Sequence, residues 1–221
     1  MMPNHVFVTG TDTEVGKTCI SVGLIALLQQ QGLKTVGMKP IASGCDWREG
    51  EWQNDDALAM MAQSDVALPY TMVNPYAFEP AIAPHIAAKQ VEVSICLNTI
   101  KKCYQQIKQQ TEAVVVEGAG GWLVPINDDE TMADLAHKLD LPVVLVVAVK
   151  LGCINHALLT VEAIQQKGLN LAGWVANHLD QQSESDEIIE TLKQRIDAPC
   201  LGVVPCLENG QTADSFLKGE P

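Results

Sequence analysis

A parallel β-sheet covered by helices on both faces is what the 221-residue sequence predicts, and three observations predict it. Short runs that are apolar on both sides recur along the chain, and a helical pattern follows each of them. Hydrophobic residues make up 47% and charged residues 19%, the balance of a folded chain with a sizeable core. A glycine-bearing turn joins the first apolar run directly to the first helix.

Taken in order, Val6–Val8 reads as a strand ending in Thr9-Gly10. A helix follows over Lys17–Gln31, with Ile20, Leu24, Leu27 and Leu28 on one side and Gly32 as its stop. Lys34–Met38 reads as a second strand. Asn54 supplies a cap for a helix running through Ser64, with Leu58 and Met61 facing inward. Four prolines between Pro69 and Pro84 predict irregular structure there, without sheet. Ser94–Gln110 reads as a longer helix. Four more apolar strands are predicted at Ala113–Val116, Pro142–Val149, Asn170–Ala176 and Cys200–Val204. Helices at Thr131–Leu139, Asn155–Lys167 and Glu184–Arg195 separate them. In such a sheet, ligands bind beyond the carboxyl ends of the strands. One domain over 1–221 is expected, with a partly mobile tail from Glu208 onward.

Charge narrows the partners. Lys and Arg total 14 against 27 Asp and Glu, a net charge of -13, so most of the surface repels a nucleic-acid backbone. Aromatics at 5% offer little for stacking bases. Any phosphate must be gripped locally. No basic leader is visible over Met1–Val6, and the apolar run Leu141–Val149 is about half the length that spans a bilayer. Seven scattered cysteines form no CxxC pair, which argues against zinc and a disulfide framework and for a cytoplasmic protein.

The chemistry begins at Gly10-Thr11-Asp12-Thr13-Glu14-Val15-Gly16-Lys17-Thr18, between the first strand and its helix. Such a loop turns its backbone N–H groups around phosphate oxygens, and the helix N-terminus adds a favourable field. Lys17 is placed to reach the outer phosphates and the Thr18 hydroxyl to hold Mg²⁺. Five residues separate Gly10 from Gly16-Lys17, where the common pattern has about four. The sequence therefore predicts nucleoside triphosphate binding in a phosphate-loop fold. Mg²⁺ takes one or two carboxylates and several waters. Glu117, at a strand's carboxyl end before Gly118-Ala119-Gly120-Gly121, is one candidate; Asp56 is another, with Asp55 as its competitor.

Other positions are less informative by residue type alone. Lys39 follows the second strand and reads as an ordinary exposed lysine unless it points over the phosphate loop. Lys150-Leu151-Gly152-Cys153-Ile154-Asn155-His156 repeats a strand-to-helix turn, either a plain connection capped by Asn155 or a seat for a small carboxylate. His137 and His156 read as packed or solvated. Asn177 is suited to a nucleobase edge, adenine rather than guanine because Asn177-His178-Leu179-Asp180 lacks a lysine. The acids Glu184, Asp186, Glu187 and Glu190 read as a solvated helix face.

Assembled, these residues resemble the dethiobiotin synthase family from about Val6 to Leu207. The likeness is carried by the blocks at 8–18, Lys39–Gly44, Val73–Tyr76, Glu117–Trp122, Val149–Ala157 and Gly173–Asn177. The five-residue spacing of the phosphate loop is itself the family's form. The resemblance implies a homodimeric, ATP- and Mg²⁺-dependent ligase that converts 7,8-diaminononanoate and CO₂ (or bicarbonate) to dethiobiotin, through a carbamate and a mixed anhydride. It implies that Glu14, Val15, Gly16, Lys17, Thr18 and Cys19 hold the phosphates, and that Thr18, Asp56 and Glu117 bind Mg²⁺. Gly118, Ala119 and Gly120 would also border the nucleotide, and Lys39 would join Lys17 and Thr13 in catalysis. Thr13 and Ser43 would contact the diamine, while Gly152, Cys153 and Asn155 of the partner subunit would hold its carboxylate. Asn177, His178, Pro205, Cys206 and Leu207 would frame the adenine, with Glu208 or Gln211 nearby. Two alternatives stay open: a sister amide-forming ligase acting on another small acid, and a partition-type switch ATPase.

Overall fold

The computed structural model describes residues 2–180, 185–208 and 210–218. Its chain order is β1 (His5–Gly10), α1 (Lys17–Gln30), β2 (Thr35–Met38), β3 (Ile41–Ser43), β4 (Asp46–Arg48), β5 (Glu51–Gln53) and α2 (Asp55–Gln63). Then come α3 (Tyr70–Val73), β6 (Tyr76–Phe78), α4 (Pro84–Gln90), α5 (Leu97–Lys108), β7 (Ala113–Gly121) and α6 (Met132–Leu139). The last elements are β8 (Val143–Ala148), α7 (Cys153–Gln166), β9 (Leu171–Asn177), α8 (Ser185–Arg195) and β10 (Cys200–Val204), before a 3-10 turn at Ala213–Phe216.

Six strands form one sheet in the order β10-β9-β8-β1-β7-β2, and every neighbouring pair is parallel. These are the six strands the apolar runs predict. Alternate residues of one strand feed opposite cores, as the pleat requires. In β8, Val143, Leu145 and Val147 pack into a cluster with Phe7, Val114 and Val116, whereas Val144, Val146 and Ala148 join Val6, Val8 and Val115 on the other face. Both faces are dry, which is why these strands read as unbroken apolar runs. On the second face α1 lies across the sheet with Ile20, Leu24 and Leu28 fully buried. Gly32, at φ 85, follows its end as expected.

Four expectations need correction. The 69–84 segment is not free of sheet: α3 forms within it, and β6 pairs in parallel with β3, Ile41 opposite Tyr76. In α2 the inward residues are Ala57 and Met60, both fully buried, while Leu58 and Met61 are half-buried. Asn155 does not cap α7; Gly152 does so through its backbone, at φ 90, and Asn155 lies exposed in the first turn. The tail is docked rather than loose at Ala213 and Leu217, 2% and 7% exposed. Glu184 and the chain end at 219–221 lie outside the described residues, while Asp186, Glu187 and Glu190 are exposed as expected. His137 and His156 are also exposed. All seven cysteines are free. Among the described residues, no helix is long and apolar enough to cross a membrane.

Candidate active site

β1 and β7 lie side by side and end at the same edge, so the loop after β1 faces the acid that β7 carries. Two residues of that loop take the left-handed backbone, Glu14 at φ 57 and Gly16 at φ 87, on either side of the fully buried Val15. A non-glycine residue held there costs about 1–3 kcal/mol, a strain usually met where backbone groups serve a ligand. A side chain at residue 16 would displace Asn177: a Cβ would lie 2.1 Å from its Nδ2. Gly10 is equally confined, its Cβ position 2.5 Å from Val15 Cγ2.

Four side chains converge beside the loop, from α1, α2, β7 and the connection that follows β2. Lys39 Nζ donates to Glu117 Oε1 at 2.5 Å, to Asp56 Oδ2 at 3.0 Å and to the Gly118 carbonyl at 3.3 Å, filling its three donor positions. Thr18 Oγ1 donates to the same Glu117 oxygen at 3.0 Å. Lys39 is 4% exposed and Glu117 fully buried, so the isolated reading of Lys39 as an exposed lysine is wrong. Burial pulls the Lys39 ammonium down, but the charges of Glu117 and Asp56 outweigh it and the net shift is upward. For Asp56 burial raises the carboxyl, and the Lys39 charge, the Thr18 and Lys39 hydrogen bonds and the Lys17 charge bring it below its ordinary value. Asp55, in contrast, is exposed and pairs with Arg48 at 2.6 Å, so of the two acids only Asp56 reaches this cluster.

Lys17 is buried and donates to the Asp12 carbonyl at 3.0 Å. Burial and the nearby Lys39 charge push its ammonium down to about 8, against the pull of Glu117, Asp56 and Asp12. The donor set of Thr18, Asp56 and Glu117 fits a hard divalent cation: Glu117 Oε2 is buried and meets no protein partner. Among the described residues, no cluster of three or more His, Cys, Asp or Glu side chains offers a protein-only metal cage.

These groups line a cleft of about 840 Å³. Thr13, Glu14, Gly16, Lys17 and Thr18 form one wall; Ala42, Ser43 and the lip Ala81–Pro84 form the other, with Ala119, Gly120 and Val124 between. The Ser43 hydroxyl on that wall meets no protein partner. Asn177 is buried, and its amide donates to the Val15 carbonyl at 2.9 Å, bracing the loop from behind. His178, Pro205 and Cys206 come together elsewhere, in a second cleft of about 480 Å³ with Asp180, Glu208, Gln211 and Phe216. Glu208 and Gln211 thus both border it. Gly152, Cys153 and Asn155 line neither cleft of this chain.

Sequence reasoning missed the relay that fixes Lys39. Asn74 donates to the Lys39 carbonyl at 2.5 Å, Tyr70 donates to Asn74 at 2.7 Å, and the Asn54 N–H donates to Tyr70 at 2.8 Å. Asn54 caps α2 through the N–H groups of Asp56 and Ala57, so one chain of bonds ties Lys39 to the start of the helix that carries Asp56. The signal lay in the Val73–Tyr76 block, where Asn74 stands between the end of α3 and Pro75.

Comparison with known proteins agrees with this geometry. A family model described as an AAA domain matches residues 4–212. Among solved structures, the MinD cell division protein of Aquifex aeolicus is similar with a TM-score of 0.58 at 14% identity, over 93% of this chain and 83% of its own. The signal recognition particle receptor FtsY of Elizabethkingia anophelis, in complex with GDP, has a TM-score of 0.57 at 13% identity; all of this chain spans 61% of it. At such identities the likeness is one of fold. Sequence relatives are nearer. The ATP-dependent dethiobiotin synthetase BioD of Cellvibrio japonicus is 54% identical over 94% of this chain and 91% of its own. That of Pseudomonas aeruginosa is 51% identical over 94% and 92%, and that of Chromohalobacter salexigens 47% over 91% and 89%. With the phosphate loop, its acid pair and near-complete coverage in both directions, the chain belongs to the ATP-dependent dethiobiotin synthetase family.

Proposed function

We propose that this chain joins 7,8-diaminononanoate and CO₂ at the expense of ATP, giving dethiobiotin, ADP and phosphate in biotin biosynthesis. The observation that carries the reading is its 47–54% identity to dethiobiotin synthetases over 91–94% of its length. The whole of 1–221 acts as one unit, because both cores rest on a single sheet.

One amine of the substrate takes up CO₂ as a carbamate, whose oxygen then accepts the γ-phosphoryl. The second amine attacks the resulting mixed anhydride, and phosphate leaves as the ring closes. Catalysis of such a transfer is mainly positioning and charge. The N–H groups from Glu14 to Cys19 cradle the phosphates, and Lys17 exchanges the Asp12 carbonyl for the outer phosphate oxygens. Thr18, Asp56 and Glu117 would hold Mg²⁺, which when bound supplies positive charge to those oxygens; the unpartnered Glu117 Oε2 supports this. Lys39, held in place by three acceptors, steadies the carbamate and the transferring phosphoryl. Thr13 and the free Ser43 hydroxyl face the diamine. The second cleft receives the adenine.

Gly152, Cys153 and Asn155 take the substrate carboxylate across a homodimer interface, and their absence from this chain's own clefts supports a contribution to the other subunit. Free cysteines throughout support a cytoplasmic setting. The test is ADP release from Mg-ATP with and without 7,8-diaminononanoate plus bicarbonate, with the product weighed by mass spectrometry. Release that needs both additions, with one carbonyl gained and a ring closed, supports the reading. Equal turnover without the diamine overturns the substrate assignment and returns the switch ATPase or a sister ligase.

A further inference from the structure

The C-terminal segment meets the rest of the molecule at two glycines. On α1, a Cβ at Gly23 would lie 2.7 Å from Ala213 Cβ and 3.0 Å from the Asp214 nitrogen. On β10, a Cβ at Gly202 would lie 2.4 Å from the Phe216 carbonyl oxygen. Glycine inside a helix is less favourable than alanine, and at Gly23 the space it leaves is filled by the incoming segment. Between these points the segment is tied by hydrogen bonds. Gln30 donates to Asp214 at 2.8 Å, the Lys218 N–H donates to the Leu201 carbonyl at 2.7 Å, and Leu217 bridges Gly202 in antiparallel fashion.

What the docked segment presents is Phe216 and Gln211, on the wall of the second cleft opposite His178 and Pro205. Gln211 also closes its end of that wall: its side-chain oxygen accepts the Glu208 N–H at 3.0 Å, and its own N–H donates to the Glu208 carbonyl at 3.0 Å. One helix therefore carries both the phosphate grip at Lys17 and the seat of the cleft wall at Gly23.

We propose that Gly23 and Gly202 are positioning residues for nucleobase recognition: by admitting the 213–217 strap they set Phe216 and Gln211 on the wall of the second cleft. The inference rests on the second cleft being the base site. Gly23→Ala drives a methyl group into Ala213 and shifts the strap, with no contact to the phosphate loop or the diamine cleft. The test is steady-state kinetics of Gly23→Ala, of Gly23→Ala with Ala213→Gly, and of Phe216→Ala, with ATP and CTP as alternative substrates.

The expected result is a rise of about tenfold in KM for ATP, with kcat and KM for the diamine within about twofold, and a matching loss of preference for ATP over CTP. The Ala213→Gly partner change restores the ATP KM. If Gly23→Ala fails to fold, Gln30→Met, which removes the Asp214 bond alone, is read in the same way. A rise in Phe216→Ala without one in Gly23→Ala or Gln30→Met overturns the strap and leaves the base site standing. No change in any of them overturns the base site and the strap together. A fall in kcat and in every KM alike, equal for both triphosphates, marks a purely structural glycine and overturns the proposal.

Discussion

Two turns in this molecule are built alike and finished differently. The loop after β1 and the loop after β8, its neighbour in the sheet, each enter a helix through a glycine in the left-handed backbone, Gly16 at φ 87 and Gly152 at φ 90, with no side chain capping the helix. Around Gly16 everything is closed: Val15 is buried, Asn177 braces the loop from behind, and Lys17 is 7% exposed. Around Gly152 everything is open: no atom stands within 4 Å of its Cβ position, Leu151 is 98% exposed and Asn155 is exposed too. Both turns present unpaired helix N–H groups suited to an anion. The first has its counter-charges and metal donors within this chain. The second offers its backbone and the exposed Asn155, and on the proposed reading a partner subunit completes it.

The largest effect that tests the contrast is Lys17→Ala. Losing the charge nearest the transferred phosphoryl should lower kcat/KM for ATP by about three orders of magnitude, on the scale of removing one preorganised donor; near-normal kinetics would refute the closed turn as the phosphate site. Next is a matched pair of substitutions. Gly16→Ala meets both an unfavourable φ and the Asn177 amide, and should lose at least about 3 kcal/mol of stability in denaturant titration. Gly152→Ala meets an equally unfavourable φ in open space and should lose only about 1 kcal/mol. Equal losses would mean that the packing around Gly16 contributes nothing.

The same contrast explains what could be read from sequence. The phosphate loop was legible because its function is local: glycines, Lys17 and Thr18 lie within one turn. Glu117 was legible as the acid ending an apolar strand, and Asp56 as an acid in the first turn of a capped helix. Lys39 was not legible by type, because its burial depends on Glu117, 78 residues away along the chain, and on the Asn74 bond to its carbonyl. The β3–β6 pair was missed since three-residue strands flanked by Pro40, Pro75 and Pro80 carry no usable alternation, and their register comes from the long connection between them. Asn177 has the right chemistry for a base edge, and one of its two amide N–H groups is given to the Val15 carbonyl, a contact 162 residues away that no local pattern announces. Resemblance to a family, not residue type, pointed to Lys39 and to Gly152–Asn155; the structure places Lys39 in the first cleft and Gly152, Cys153 and Asn155 in neither.

The open turn is probed by Asn155→Ala. Removing an exposed amide should raise KM for the diamine about tenfold, the loss of one hydrogen bond to a charged group, and leave KM for ATP unchanged. An unchanged diamine KM removes Asn155 from the site. Because the proposed carboxylate seat belongs to the partner, a heterodimer of a Lys17→Ala protomer with an Asn155→Ala protomer holds one composite site with both residues intact. A wild-type diamine KM in verified heterodimers supports sharing, and a KM raised about tenfold, as in the Asn155→Ala homodimer, counts against it.

The smallest effect sharpens the closed turn by its charge. On the proposed reading Lys17 binds phosphate as the ammonium, and its pKa before binding is held down to about 8 by burial and by Lys39. The charged form is complete below that value and lost above it, so ATP affinity should fall as pH rises through about 8. Between pH 7 and 8.5 the dissociation constant should increase about fourfold, the fraction set by a single proton with that pKa. ATP itself is fully ionised over most of this range, and Mg²⁺ is held saturating. Lys17→Arg keeps its charge throughout, since a guanidinium does not titrate there, and whatever its absolute affinity its profile should be flat. A slope that persists in Lys17→Arg would assign the titration to another group and would leave Lys17 charged across the whole range, with the Glu117 and Asp56 carboxylates outweighing its burial.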